Sequence, residues 1–175
     1  MSILGVILAG GKSSRFGSDK AEALYLGQPL IAHVAAAISG QVDAMAVAGR
    51  AYGDWPAITD RPAPNMGPLT GLAGALNFAA NAGHEYVLSV GVDNIGLPEN
   101  LAAILSPAPG YIKSQPIIGL WPVSVLEALD KLLASQERHS MLNYISKIGA
   151  RAVELDTPPA NINSAADLSE WEKKQ

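Results

Sequence analysis

Lys12, Arg15 and Lys20 fall within nine consecutive positions, directly after the glycine pair Gly10-Gly11. The whole segment, Leu8-Ala9-Gly10-Gly11-Lys12-Ser13-Ser14-Arg15-Phe16-Gly17-Ser18-Asp19-Lys20, follows a short apolar run. Adjacent glycines let backbone N–H groups approach an anion without a side chain in the way. Successive N–H groups in such a turn form an anion-binding nest. Donors and countercharge together suit a polyphosphate. The order of residues is neither that of the P-loop, G-x-x-x-x-G-K-[ST], nor that of the dinucleotide fingerprint G-x-G-x-x-G. A flexible connection that happens to hold glycine and lysine is the bland alternative.

Asp93 ends a second apolar run, Tyr86 to Val92. A carboxylate at such a strand tip either caps the next helix or binds something. Mg²⁺ takes one or two carboxylates and completes its shell with water or substrate phosphates, so an aspartate facing a phosphate loop meets its needs. A third feature is Asp60 with the segment Asn65-Met66-Gly67-Pro68-Leu69-Thr70-Gly71. Pro62, Pro64 and Pro68 stiffen the connection, and Gly67 and Gly71 permit close approach of backbone to a base or ribose. Without its neighbours this segment reads as a rigid loop leading into a helix. His33, His84 and His139 lack the spacing of metal ligands; they read as a packed helix residue, a loop residue and part of a solvated face. Trp55 and Trp121 read as core or interface residues, and Glu127, Asp130 and Lys131 as a solvated helix face.

Positioning these groups falls to alternating strands and helices. Ile3 to Leu8 is a continuous apolar run of the kind a central parallel strand shows, because both of its faces are covered. Pro29 to Ile38 follows a helical period, with Pro29 in its first turn. Ala44 to Ala48 and Ala57 to Thr59 read as short strands. Thr70 to Ala82 is an alanine-rich helix closed by Gly83, and Tyr86 to Val92 a third strand. A short helix opens at Leu97-Pro98-Glu99 and runs to Leu105, followed by a loop from Ser106 to Gly110. Ile117 to Leu120 reads as a strand, Val123 to Leu133 as a helix, and Met141 to Ile148 as a helix stopped by Gly149. Ala152 to Leu155 is a late strand, and Ser164 is the expected N-cap of a last helix reaching Glu172. This alternation predicts an open α/β sheet with right-handed crossovers, whose ligands bind beyond the carboxyl ends of the strands. The turns after Leu8 and Val92 are such ends.

The chain of 175 residues is expected to form a single domain over 1–175. Lys and Arg total 12 against 16 Asp and Glu, a net charge of −4, which disfavours a broad basic nucleic-acid face. Cysteine is absent, which excludes a disulfide scaffold, a thiolate metal site and a cysteine nucleophile. The run from Ile3 to Ala9 falls short of the about 20 residues a membrane span needs. It also lacks the basic flank of a signal peptide. A cytoplasmic protein is expected.

The motifs resemble those of molybdenum cofactor guanylyltransferases and, more broadly, of small nucleotidyltransferases. The signature L-A-G-G-x-S-x-R-x-G-x-D-K is matched at every fixed position from Leu8 to Lys20. An aspartate seven residues before G-P-L-x-G is matched by Asp60 and Gly67 to Gly71. Asp93 precedes Leu97-Pro98; Gln115 to Pro122 matches Q-P-x-x-G-L-W-P; and Asn161, Asn163, Ser164, Asp167 and Leu168 match N-x-N-[ST]-x-x-D-L. The resemblance implies a Rossmann-like, three-layer α/β/α nucleotidyltransferase fold, similar to nucleotide-diphospho-sugar transferases, with a mostly parallel sheet.

It also implies transfer of GMP from GTP to the phosphate of molybdopterin, with release of pyrophosphate. By the same resemblance, Leu8, Ala9, Gly10, Gly11, Asp60 and Gly67 would hold the nucleotide. Arg15 and Lys20 would neutralise phosphate charge, Asp93 would bind Mg²⁺, and Asn161 and Asn163 would lie on the acceptor side. Arg15, Lys20 and Asp93 would form the catalytic set. A molybdoenzyme or a cofactor-delivery protein is the candidate partner.

Three segments depart from the resemblance. Relatives often carry D-x-P-x-L-P where this chain has Asp93-Asn94-Ile95-Gly96-Leu97-Pro98. They often place an asparagine at the end of the second strand to read the base, whereas Val47-Ala48-Gly49-Arg50 supplies none. They usually carry a strand before Q-P, whereas this chain has Pro107-Ala108-Pro109-Gly110. Two alternatives therefore stay open: a related nucleotidyltransferase with another base or acceptor, such as a cytidylyl- or sugar-phosphate nucleotidyltransferase, and a member that binds nucleotide without turnover.

Overall fold

The computed structural model describes residues 1–10, 19–64 and 66–175. The chain begins with β1 (Ile3–Leu8), a small hairpin β2 (Leu24–Tyr25) and β3 (Gln28–Pro29), and α1 (Leu30–Ser39). It continues through β4 (Ala44–Ala48), β5 (Ala57–Ile58), α2 (Pro68–Ala82), β6 (Tyr86–Gly91), β7 (Asn94–Ile95) and α3 (Leu101–Leu105). The last stretch holds β8 (Gly110–Ile112), β9 (Gln115–Pro122), α4 (Leu126–Ala134) and α5 (Met141–Ile148). It ends with β10 (Arg151–Val153), β11 (Ala160–Asn161) and α6 (Ala165–Lys173).

Seven strands form one sheet in the order β10-β8-β9-β6-β1-β4-β5. β9 alone runs against its neighbours; the other strands are mutually parallel. The mostly parallel sheet matches expectation. Its hydrophobic pattern follows from the pleat, which sends successive side chains to opposite faces. Ile3 and Ile7 of β1 join one core with residues of α1, α3 and α6. Leu4 and Val6 join the other with residues of α2, α4 and α5. β1 needs apolar residues on both faces, which explains its continuous run. Trp121 is fully buried and donates from Nε1 to Ser89 Oγ over 2.8 Å, so its indole N–H is satisfied within the core.

The expected loop from Ser106 to Gly110 leads directly into β8, which lies between β9 and β10. The chain therefore does carry a strand before Gln115-Pro116, contrary to the sequence reading. The proline-rich approach concealed it, because a three-residue strand has too little periodicity to read. β9 is longer than the expected Ile117–Leu120 and is the antiparallel member. α3 begins at Leu101 rather than Leu97, and a single 3₁₀ turn at Val123–Val125 precedes α4. The two-residue strands β2, β3, β7 and β11 carry no pattern to anticipate. Ser164 caps α6 as expected, accepting from the Asp167 backbone N–H over 3.1 Å. Among the described residues no helix is long and apolar enough to cross a membrane.

Candidate active site

Three strand tips end level. Leu8 pairs with Ala48 on one side and Gly91 on the other. The alignment continues beyond the strands: Ala9 N–H donates to Ala48 O over 2.9 Å, and Val92 N–H to Leu8 O over 3.2 Å. Leu8, Ala9, Gly10, Gly49 and Asp93 are thereby gathered at the carboxyl edge of the sheet, where open α/β sheets bind ligands. Gly49 has φ of +92°, and a Cβ on it would stand 2.5 Å from Gly10 Cα and 2.6 Å from Gly10 N. The two loops touch backbone to backbone. A side chain at Gly49 would collide with the Gly10 backbone.

Lys20 opens a 3₁₀ turn, Lys20–Glu22, capped by Asp19, whose Oδ1 accepts from Ala21 N–H over 3.1 Å. The turn aims Lys20 Nζ at two carboxyl-edge groups. It donates to Asp93 Oδ2 over 3.2 Å and to Asn163 Oδ1 over 3.2 Å. Side-chain exposures of 18% for Lys20 and 22% for Asp93 leave the pair partly desolvated yet reachable. Asp93 folds back over its own strand: a Cβ on Gly91 would lie 2.5 Å from Asp93 Oδ1. Only a residue without a side chain leaves the carboxylate that space.

The segment holding Asn163 is tied to the same place. Ile162 N–H donates to Asp93 O over 2.9 Å, and β11 pairs antiparallel with β7, Asn161 opposite Asn94. Asn163 N–H donates to Asp167 Oδ2 over 2.9 Å. That bond is the first cause that holds the Asp167 carboxyl below the usual aspartate range, and Lys20 adds a smaller push in the same direction. Ile162 is buried, whereas Asn161 is exposed at the edge.

Asn94 is buried and works structurally. Its Oδ1 accepts from Gly91 N–H over 2.6 Å, and its Nδ2 donates to Gln115 Oε1. Gln115 Nε2 in turn donates to Pro159 O over 2.6 Å. Ile95 is buried and pairs with Ala160. The segment after Asp93 forms a short strand that pairs with Ala160–Asn161 and so holds the chain leading to Asn163.

Asp60 stands apart from the Lys20–Asp93–Asn163 group, on the other side of Leu8. Thr70 Oγ1 lies 3.2 Å from Asp60 Oδ2 and donates to Gly67 O over 2.8 Å. A Cβ on Gly71 would stand 3.2 Å from Leu8 Cδ2 and 3.7 Å from Asp60 Oδ1. Gly67 is the N-cap of α2, whose positive end favours a carboxylate or phosphate nearby. Gly11, Lys12 and Arg15 lie outside the described residues.

The three histidines are half-buried and each bonds a nearby group, His139 included, which the sequence placed on a solvated face. The His33 ring bonds Tyr25 O over 2.5 Å, His84 Nδ1 meets Ser2 Oγ at 2.7 Å, and His139 Nε2 meets Ser135 O at 3.0 Å. Among the described residues no three His, Asp or Glu side chains group as a metal site. The donor set at Asp93 is a single accessible carboxylate, which suits a cation that takes most of its ligands from phosphates and water. The residue that sequence reasoning passed over is Arg50. Its Nη1 lies 2.5 Å from Asp19 Oδ2 and its Nη2 2.9 Å from Glu22 Oε1. A cation at a strand tip was its only signal.

The fold is that of a nucleotidyltransferase. The structure superposes on that of molybdopterin-guanine dinucleotide biosynthesis protein A from Archaeoglobus fulgidus with a TM-score of 0.78 at 16% identity, covering 98% of this chain and 97% of that one. In sequence, the chain is 36% identical to a molybdenum cofactor guanylyltransferase of Rhodobacter capsulatus, covering 99% of this chain and 97% of the relative. It is 37% identical to one of Acidiphilium cryptum, covering 93% and 90%. The profile of the MobA-like NTP transferase domain matches residues 5–152, and the chain belongs to that family.

Proposed function

We propose that this protein transfers GMP from GTP to the terminal phosphate of molybdopterin or the molybdenum cofactor, releasing pyrophosphate. The observation that carries the reading is the Lys20–Asp93–Asn163 cluster at the ends of β1 and β6, in a chain similar over its length to molybdenum cofactor guanylyltransferases. In the reaction an oxygen of the pterin phosphate attacks the α-phosphorus of GTP. A new P–O bond forms, and the bond from that phosphorus to the β-phosphate bridging oxygen breaks. Catalysis of this kind is positioning and charge neutralisation, with no covalent intermediate.

Each residue then has a task. Backbone groups of Leu8, Ala9, Gly10 and Gly11 hold the nucleotide, with Asp60 and Gly67 along its other side. Lys20 and Arg15 neutralise phosphate charge. Asn161 and Asn163 face the acceptor. Asp93 is the residue that would hold Mg²⁺, which supplies charge neutralisation across the phosphates when bound. A second reading has one observation in its favour: the packing of Gly49 on Gly10 excludes a base-reading side chain there. Base choice then rests on other groups, and a different nucleotide would fit the same chemistry.

The test is thermal stability with GTP, CTP, ATP or UTP, each with and without Mg²⁺, on wild type and Asp93→Ala. A ligand at a hundred times its dissociation constant adds about 2.7 kcal/mol, a rise of several degrees at about this chain length. The proposal predicts a rise with GTP alone that Asp93→Ala weakens. A rise with CTP or UTP alone supports the second reading, and no rise with any nucleotide overturns both.

A further inference from the structure

Arg50 grips the turn that carries Lys20 from both ends. Asp19 immediately precedes Lys20, and Glu22 follows it by two positions. Arg50 Nη1 bonds the first carboxylate over 2.5 Å and Nη2 the second over 2.9 Å. The turn between them is held by Ala21 N–H to Asp19 Oδ1, Glu22 N–H to Asp19 O and Ala23 N–H to Lys20 O, at 3.1, 3.1 and 3.2 Å. Arg50 follows Gly49, whose positive φ turns the chain where it packs on Gly10. Arg50 therefore ties the tip of β4, whose Gly49 packs on Gly10, to the Lys20 turn. Its Nε is buried without a hydrogen-bond partner among the described residues. An unsatisfied buried N–H is costly, so the two carboxylates hold the side chain there against that cost.

We propose that Arg50 is a positioning residue for Lys20, in an inference that rests on Lys20 being a phosphate-binding cation. It acts in two ways. It fixes the turn so that Lys20 Nζ faces Asp93 and Asn163. It also neutralises Asp19 and Glu22, which would otherwise compete with phosphates for Lys20 and repel a triphosphate. Arginine suits the task because its planar fork meets two carboxylates at once, which a lysine point charge does not.

The test compares wild type, Arg50→Ala and Arg50→Lys as full-length chains, with melting curves to confirm folding. Two quantities are read: amide exchange at Ala21, Glu22 and Ala23, and affinity for inorganic triphosphate, which is independent of base and acceptor. Arg50→Ala is expected to speed exchange at these amides and weaken triphosphate binding about tenfold, as loss of a charge-assisted contact would. Arg50→Lys should fall between. Unchanged exchange overturns the proposal. So does faster exchange with undiminished triphosphate affinity, which would make Arg50 a structural brace alone. Wild-type protein that binds triphosphate and loses it in Arg50→Ala, yet turns over no nucleotide, refutes the proposed function and leaves the role of Arg50 standing.

Discussion

Lys20 Nζ and Asp93 Oδ2 lie 3.2 Å apart although 73 residues separate them in the chain. The contact joins the segment after β1 to the tip of β6, and both are candidate phosphate-handling groups. Lys20→Met or Asp93→Asn should lower kcat/KM by about 10²–10³-fold, the scale for losing one electrostatic group at a transition state. The double variant should lose less than the product of the two, because the residues act as a unit. Melting temperatures of the single variants should fall as well, since each change leaves a largely buried group without its ion-pair partner. Steady-state kinetics with parallel melting curves check all three points.

Gly49→Ala should disturb both loops at once. The residue has φ of +92°, and its Cβ would meet Gly10 Cα at 2.5 Å. Strain of this type costs about 1–3 kcal/mol, and relieving it must move Gly10. The expected outcome is a lower melting temperature together with weaker nucleotide binding, read by calorimetric titration. Unaltered binding would mean that the Gly10–Gly49 contact does not shape the nucleotide loop.

Asn94→Ala removes the acceptor for Gly91 N–H and the donor to Gln115. Leaving a buried backbone donor unpaired costs about 1–3 kcal/mol, roughly 2–4 °C of melting temperature per kcal/mol for chains of about this size. Activity should fall as well, because the same network fixes the segment beside Asp93. Denaturant melts and turnover of the purified variant report the two effects separately.

The anchor of Asn163 should depend on pH. The Asp167 carboxyl is held below its ordinary range first by the Asn163 backbone N–H. A depressed folded pKa stabilises at pH above the unfolded value and loses that contribution as pH falls through the folded one. The Asn163–Asp167 contact should therefore be complete above the usual aspartate range of about 4 and fail below it. Asp167→Asn should remove the acid transition. The Asn163 amide chemical shift, followed through an acid titration, reads this directly. Glu127, Glu137 and Glu154 are lowered first by side-chain bonds to Lys131, Lys147 and Lys113 on the exposed surface. Salt should weaken those contributions more than that of Asp167.

Long apolar runs made the fold legible. β1, β4 and β6 are buried on both faces, so composition alone marks them as central strands, and the spacing of glycines and charges beyond them marks the carboxyl edge as the site. The Lys20–Asp93 contact is a product of sheet order, which puts β6 beside β1, and sheet order is not written in local periodicity. Asn94 carries no local signal because its partner Gln115 lies on a different strand. Arg50 read as an absence of asparagine, because its meaning depends on two carboxylates 31 and 28 residues earlier. β8 was hidden by brevity and by the prolines in front of it.

The most direct test of the account is pyrophosphate release from each of the four ribonucleoside triphosphates, with molybdopterin and Mg²⁺ present, by wild type and Lys20→Met. Release from GTP alone is expected, dependent on molybdopterin and nearly abolished by Lys20→Met. Release that ignores molybdopterin, that prefers another nucleotide, or that survives the loss of Lys20 would contradict it.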